Sequence, residues 1–159
     1  WDALKRTDYF VDYQNYYTFC GVLSQRGLFV NVAKEMLKIG DTARAVEMLD
    51  MCQECVPAEN YPLDLTYLGF SNEYMVADMI ETYYKADQPE KALELAERFS
   101  DQLFDSLYFF LQYYDFAKRE FESCYNNLQY IAELAEHYGH KELSDSINGR
   151  FESLMETAE

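Results

Sequence analysis

Residues 38–57, KIGDTARAVEMLDMCQECVP, decide the fold of this chain. Gly40 favours a turn, and Asp41 can cap the helix that follows, because its carboxylate accepts the backbone N–H groups of the first helical turn. Apolar side chains then recur at helical spacing, at Ala45, Leu49 and Cys52, before Pro57 ends the helix. The stretch therefore predicts the turn and second helix of a helical hairpin, which needs neighbours to bury its apolar face.

A second copy of this pattern follows later in the chain. Asp87 takes the position of Gly40, about 47 residues further along, and Pro89 suits the first turn of the next helix. The packing positions are repeated by Ala92, Ala96 and Phe99. Repeats of the tetratricopeptide type have a period of about 34 residues, so a long loop must separate the copies. We predict an all-α, tetratricopeptide-like array of about three antiparallel helical hairpins.

The pattern gives boundaries for a single domain spanning all 159 residues. We predict an irregular, aromatic lead-in at 1–25 that packs on the helices, with a short extended piece at 9–11 and a turn or two of helix at 13–19. Hairpins follow at 27–56 and 72–114, separated by a loop at 57–71, and a capping hairpin at 116–156 closes the core. In the first helix the buried stripe contains Leu28 and Val32, or else Phe29 and Ala33, followed by Met36 and Ile39.

Composition excludes several classes of function. The 13 basic and 29 acidic residues give a net charge of -16, which disfavours binding to nucleic acid and to anionic lipid. The sequence has neither a membrane-spanning apolar run nor a signal peptide, so we expect a soluble chain. Because it begins at Trp1, we interpret it as a fragment or a processed product.

Cys52 and Cys55 form a C-x-x-C pair near the end of a helix. No second pair and no histidine stands at zinc spacing, and Cys52 occupies a packing position. We therefore favour a structural role over a redox, disulfide or metal-binding role.

Two histidines flank the turn at Gly139, and Glu133 could share a helical face with His137 as a metal ligand. The histidine is equally explained by its favourable interaction with the helix dipole, and no further ligands converge on it. The cluster also contains Glu136 and His140. We expect no metal site in it.

Acidic pairs such as Asp101 and Asp105 catalyse reactions only in a desolvated cleft, and nothing in the sequence identifies one. Neither a nucleophile motif nor a phosphate-binding glycine loop occurs. We expect no catalytic residue, no cofactor and no enzymatic activity in this chain.

Tyrosines are the most promising binding residues, because a tyrosine ring packs while its hydroxyl forms hydrogen bonds. Core packing is the competing explanation for them. Besides Tyr108, the candidates for a groove that binds a peptide or stacks on sugar rings are Tyr61, Tyr67, Tyr83, Tyr84, Tyr113 and Tyr114.

Several stretches resemble one known family. They are TDYFVDYQNYYTFCGVLSQRGLF, NVAKEMLKIGDTARAVEMLDMCQECVPAENYPLD, YYKADQPEKALELA and LAEHYGHKEL. They look like the C-terminal soluble region of the DUF2723 family, membrane proteins similar to protein O-mannosyltransferases. The resemblance implies a tetratricopeptide-like domain that follows a set of membrane helices and lies outside the cytoplasm. Glycosyl transfer would belong to the membrane part, so no catalytic residue is carried over to this chain.

The function expected from these observations is a noncatalytic interaction or accessory domain of a membrane glycosyltransferase-like protein. Its partner would be a protein or peptide segment, or the membrane part of its own polypeptide. The alternative is an acceptor- or glycan-binding module that uses exposed tyrosines.

Overall fold

The computed structural model describes residues 5–8, 16–64 and 72–157, and in these ranges the chain forms six helices and no strand. The helices are α1 (Tyr16–Lys38), α2 (Thr42–Cys55), α3 (Asn72–Lys85), α4 (Pro89–Gln112), α5 (Tyr114–His137) and α6 (Lys141–Thr157). The predicted all-helical class is confirmed. The predicted extended piece at 9–11 lies outside the described residues.

Each helix contacts the next along the chain, and α3 also contacts α1 and α5. The largest contacts join α1 to α2, α4 to α5 and α5 to α6, while α3 packs on both α1 and α4. The turns after α1, α3 and α5 are three residues long, so the two helices that each turn joins are antiparallel. The core between them is continuous and draws on every helix.

The packing stripes predicted for α2 and α4 are confirmed. Ala45, Leu49 and Cys52 are buried in α2, and the corresponding Ala92, Ala96 and Phe99 are buried in α4. The Asp41 side chain accepts a hydrogen bond from the Arg44 backbone N–H at 3.2 Å, as expected of a cap. Small residues at the repeated positions let the helices approach, and the larger ones fill the space between them.

The turns after α1, α3 and α5 have the same backbone geometry. In each turn one residue adopts a positive φ, with values of 81° at Gly40, 58° at Asp87 and 89° at Gly139. In the first turn the Asp41 N–H bonds the Met36 carbonyl and the Gly40 N–H bonds the Leu37 carbonyl, and both bonds recur at equivalent positions of the other two turns. This is the Schellman motif, which satisfies the last carbonyls of a helix.

The effect of a substitution at these turns on stability should depend on the strain that a positive φ imposes on a residue with a Cβ atom. No atom lies within 4 Å of a Cβ added at Gly40 or Gly139, so only backbone strain opposes a side chain there. Gly40→Ala and Gly139→Ala are expected to lower the free energy of unfolding by about 1 kcal/mol, and Asp87→Gly to raise it by about 0.5 kcal/mol. Urea denaturation of the three variants measures these changes. Gly149→Ala, inside α6, is a control that should stabilise, and a loss of stability there would contradict this account.

The three turns lie at one end of the domain, because α1, α3 and α5 run in the same direction. An added Cβ at Gly27 would meet the Met75 Sδ atom at 3.0 Å, and Lys34 pairs with Asp78 at 2.7 Å, so contacts advance together along α1 and α3. Further along, the Tyr84 ring stacks on Tyr138, just after α5, with centroids 4.3 Å apart. The opposite end therefore holds the segment after α2 and the turn between α4 and α5.

The first helix corrects the sequence-based boundaries. It begins at Tyr16, although no more than a turn or two of helix was expected before residue 25. The stretch contains no proline, and its aromatic and β-branched residues weaken a helix by only about 0.5 kcal/mol each, which packing overrides. Phe29 and Ala33 are buried, whereas Leu28 is exposed, so the second of the two predicted stripes is the one that packs. Ile39 was predicted at the end of either stripe but is 78% exposed, because it lies just after α1, so that part of the prediction is wrong.

The loop after α2 is packed where it is described. Backbone N–H groups of Asn60 and Tyr61 bond the Pro57 carbonyl, which forms a single turn, and Tyr61 and Leu63 are buried. The lead-in touches this region, because Asn60 donates a hydrogen bond to the Arg6 carbonyl.

The fourth helix ends at Gln112, about two residues earlier than expected, and Tyr113 alone separates it from α5. Ala117 has non-helical φ and ψ angles and marks a kink in the first turns of α5. In the part of the chain that the structure describes, no helix combines the length and the apolar character needed to cross a bilayer.

Candidate interaction surface

Exposed aromatic rings concentrate where α4 passes into α5. Phe116 is 93% exposed and Phe109 is 57% exposed, and three tyrosines close to them in the sequence are also exposed. We call this surface the aromatic turn, and its members are Tyr108, Phe109, Tyr113, Tyr114 and Phe116. Large apolar rings on a surface are unfavourably hydrated, and burying them against a partner is favourable. Clusters of such rings are therefore frequent binding sites.

Buried neighbours fix the position of the aromatic turn. The Phe109 ring lies 5.1 Å from the Tyr113 ring, and it meets the buried Phe110 edge to face at 5.7 Å. Tyr114 makes a similar edge-to-face contact of 5.3 Å with Phe121, which is buried. Phe116 precedes the kink at Ala117 and projects from the surface. These contacts therefore hold the rings of Phe109, Tyr113 and Tyr114 in place.

The structure separates the six predicted binding tyrosines. Tyr61, Tyr83 and Tyr84 are buried in the core, so we do not include them in a contact surface. Tyr113 and Tyr114 are exposed and adjacent on the aromatic turn. Tyr67 lies outside the described residues, and a binding role for Tyr113 and Tyr114 stays a prediction.

Tyr83 forms part of a polar network instead of a groove. Its hydroxyl donates to the Asp50 Oδ1 atom at 2.9 Å and accepts a hydrogen bond from Gln53 Nε2 at 2.9 Å. Lys91 pairs with the other oxygen of Asp50 at 2.6 Å. Burial and the nearby carboxylate of Asp50 raise the pKa of Tyr83, so the hydroxyl keeps its proton. The network ties α2, α3 and α4 together.

The C-x-x-C pair is part of the core. Cys52 and Cys55 are both buried free thiols, as is Cys124 in α5. Burial raises the pKa of Cys52 to about 12, and the thiolate that redox chemistry or metal binding requires is disfavoured. These findings agree with the structural role that we favoured from the sequence.

These thiols should therefore be unreactive until the chain unfolds. In a Cys20→Ser background we expect Ellman's reagent to detect no thiol in the folded protein at about pH 8, and all three after addition of guanidinium chloride. The absorbance of released thionitrobenzoate measures the number of reactive thiols. Rapid reaction of Cys52 or Cys55 in the folded chain would instead restore the redox interpretation.

The histidine cluster is also explained by packing. Tyr84 stacks on Tyr138, and His140 lies beside Tyr84 with centroids 5.6 Å apart. His137 meets the Tyr138 ring edge to face at 4.8 Å. Within the described ranges no group of three or more His, Cys, Asp or Glu side chains could hold a metal ion. In the acidic pair of α4, Asp101 and Asp105, the Asp101 carboxylate is engaged in an ion pair with Arg150 at 2.6 Å.

A buried arginine is the polar feature that the sequence analysis missed. Arg26 is 2% exposed, and its guanidinium donates to the carbonyls of Pro62 at 2.9 Å, Val56 at 3.3 Å and Tyr61. Val56 is the C-cap of α2, where the helix dipole is negative and favours a cation. Burial lowers the pKa of Arg26 to about 10, so the side chain stays charged at neutral pH.

Two sequence signals could have identified the features that were missed. Phe109 is out of phase with the buried stripe of Leu103, Leu107 and Phe110 on α4, so it had to point away from the core. Arg26 precedes the buried Phe29 by three residues, which places it on the packed face of α1. Such an arginine is buried only if acceptors are provided by another segment.

Comparisons with protein-family models, with curated proteins and with solved structures found no match for this chain.

Proposed function

We propose that this chain is a noncatalytic interaction domain that binds a protein partner through the aromatic turn. The observation that carries the proposal is the exposure of Phe109 and Phe116 on packed helices. Rigid aromatic side chains contribute much of the binding free energy in protein interfaces, because they bury a large area with little loss of conformational entropy.

The charge around the aromatic turn indicates the surface chemistry that a partner should have. Between residues 105 and 122 there are four acidic and two basic side chains. Lys118 is already close to Glu122, at 3.8 Å. The surface of the partner should therefore offer an apolar pocket surrounded by basic side chains, since opposite charges at the rim speed association and fix its orientation.

The arrangement of hairpins that we propose is a tetratricopeptide-like array. It is supported by the three matching turns and by the contacts among α1, α3 and α5. In such an array the odd-numbered helices of successive hairpins stack on each other, and the last hairpin caps the core.

The wider setting that we propose follows from the family resemblance of the sequence. The chain would be an accessory domain of a membrane protein of the DUF2723 type, on the extracytoplasmic side, and the partner would be a peptide segment or the membrane part of the same polypeptide. Chemistry on a lipid-linked sugar would take place in that membrane part and not in this domain.

Site-specific crosslinking of the whole protein, in the cells that produce it, tests the binding surface. A photoreactive phenylalanine at position 116 should crosslink to a defined protein segment, which mass spectrometry identifies. Phe109→Ser in the same chain should reduce the yield at least roughly tenfold, because it removes a second exposed ring that the partner would bury. The matched control is the same photoreactive residue at position 155, where Met155 is exposed on α6.

Two outcomes would contradict this proposal. Equal crosslinking from positions 116 and 155 would indicate random collisions, and crosslinking that Phe109→Ser leaves unchanged would separate the contact from the aromatic turn. Phe109 is exposed, so Phe109→Ser should change the free energy of unfolding by less than about 0.5 kcal/mol. Circular dichroism and urea denaturation verify that the variants fold.

A glycan-binding module is the second candidate, because Tyr113 and Tyr114 expose rings and hydroxyl groups side by side. Such rings stack on sugar faces while their hydroxyls form hydrogen bonds. If this function is correct, glycan-array binding should be lost in the Tyr113→Ala, Tyr114→Ala double variant and retained in Tyr130→Ala, another exposed tyrosine. No binding of the unmodified chain to any glycan would eliminate this candidate.

A further inference from the structure

The feature left unused by the proposed function is a cavity beneath the segment that follows α2. Its volume is about 140 Å³, and one water needs roughly 10–15 Å³ of accessible space, so a group of several heavy atoms fits. The walls come from α1, α2, α3, α4 and residues 56–63. It is distinct from the aromatic turn, because none of the exposed aromatic rings lines it.

The charged residues of the cavity are arranged by depth. Arg26 is buried, whereas the side chains of Arg98 and Glu59 are 41% and 61% exposed and form the rim. Arg98 and Glu59 approach each other only to 3.9 Å, which is a loose ion pair. Two cations and one anion therefore line a cavity in a chain whose net charge is -16.

The guanidinium of Arg26 has donors to spare. Its hydrogen bonds to the three carbonyls engage three of the five N–H hydrogens, and in the described part of the chain the other two have no acceptor. The three hydrogen-bond partners of Arg26 are backbone carbonyls, and none of them is a carboxylate. A buried cation without an anionic partner is unfavourable, and an anion entering the cavity would relieve this.

We propose that this cavity binds a carboxylate carried on a short apolar stem, with Arg26 at the floor and Arg98 at the rim. Each of the two N–H groups of Arg26 that the carbonyls leave free can donate a charge-assisted hydrogen bond to a carboxylate oxygen. The remaining walls include the apolar side chains of Val56, Leu63, Met79 and Leu95, which suit a hydrocarbon stem and disfavour a strongly hydrated phosphate. The carboxylate belongs either to a free short-chain acid or to the end of a peptide.

Titration with sodium butyrate at constant ionic strength tests this proposal, with the Nε–H signal of Arg26 in ¹⁵N-edited NMR spectra as the readout. We expect a saturable shift with a dissociation constant of about 1–10 mM, as befits so small a ligand. Butanamide, which has the same shape and no charge, should not bind. Tighter binding of N-acetylvaline than of butyrate identifies a peptide end as the source, and the reverse order identifies a free acid.

Variants at the rim test the site without disturbing its buried floor. Arg98→Ala should weaken butyrate binding roughly tenfold, while Arg119→Ala, which removes the same charge from an exposed position on α5, should leave it unchanged. Glu59→Gln should strengthen binding by removing the competing carboxylate. Absence of a saturable shift, equal binding of butanamide, no effect of Arg98→Ala, or tighter binding of inorganic phosphate would each overturn the proposal.

Discussion

Arg26→Met is expected to lower the free energy of unfolding by about 4 kcal/mol, the range found when one partner of a buried charged interaction is removed. The guanidinium joins α1 to the carbonyls of Val56, Tyr61 and Pro62. Methionine fills a similar volume but donates no hydrogen bond, so buried carbonyls at the end of α2 lose their partner. Chemical denaturation followed by circular dichroism measures the difference.

Two further variants isolate the cause. Arg26→Lys keeps the charge, but a single ammonium cannot bridge three carbonyls, and we expect an intermediate loss. Arg44→Met is the matched control, because Arg44 is exposed and makes only a surface ion pair with Asp41 at 3.3 Å. It should change the stability by less than about 0.5 kcal/mol. An Arg26→Met variant as stable as the unmodified chain would show that apolar packing fully replaces the arginine.

Tyr83→Ala is the second substitution with a large expected effect, again about 4 kcal/mol, because it opens a cavity where α2, α3 and α4 meet. Tyr83 is fully buried. Tyr83→Phe keeps the ring and removes only the hydroxyl between Asp50 and Gln53, so we expect a loss of about 1 kcal/mol. The difference between the two variants, measured by urea denaturation, separates packing from hydrogen bonding.

Tyr108→Ala is the control for this pair, since Tyr108 is exposed on the aromatic turn. It should have little effect on stability. If Tyr83→Phe were as destabilising as Tyr83→Ala, the polar network would dominate the junction, and the packing explanation would be wrong.

Sequence periodicity predicted the parts of the fold that rest on local rules. The stripes of α2 and α4 repeat at spacings of three and four, and the structure buries them. Gly40, Asp87 and Gly139 stood at turns in the pattern, and all three adopt a positive φ. Asp87 shows that this position is recognised better by its place in the repeat than by its residue type.

Where the local sequence pattern was compatible with more than one arrangement, packing between the helices determined which side chains were buried. Apolar residues surround α1, so two stripes were compatible with the sequence, and contact with α2 and α3 selected the one with Phe29 and Ala33. The burial of Arg26 depends on carbonyls 30 to 36 residues away, which no local pattern displays. For the same reason tyrosine content alone could not distinguish the buried Tyr83 from the exposed Tyr113.

The contrast between the Schellman turns and Arg26 bears on the order in which the chain folds. The turns bond residues no more than five positions apart, whereas Arg26 joins segments separated by 30 to 36 residues. Short loops close at a lower entropic cost, so the turns are the natural nuclei and the arginine contact forms late. Removal of the Arg26 side chain should then speed unfolding and leave the folding rate almost unchanged.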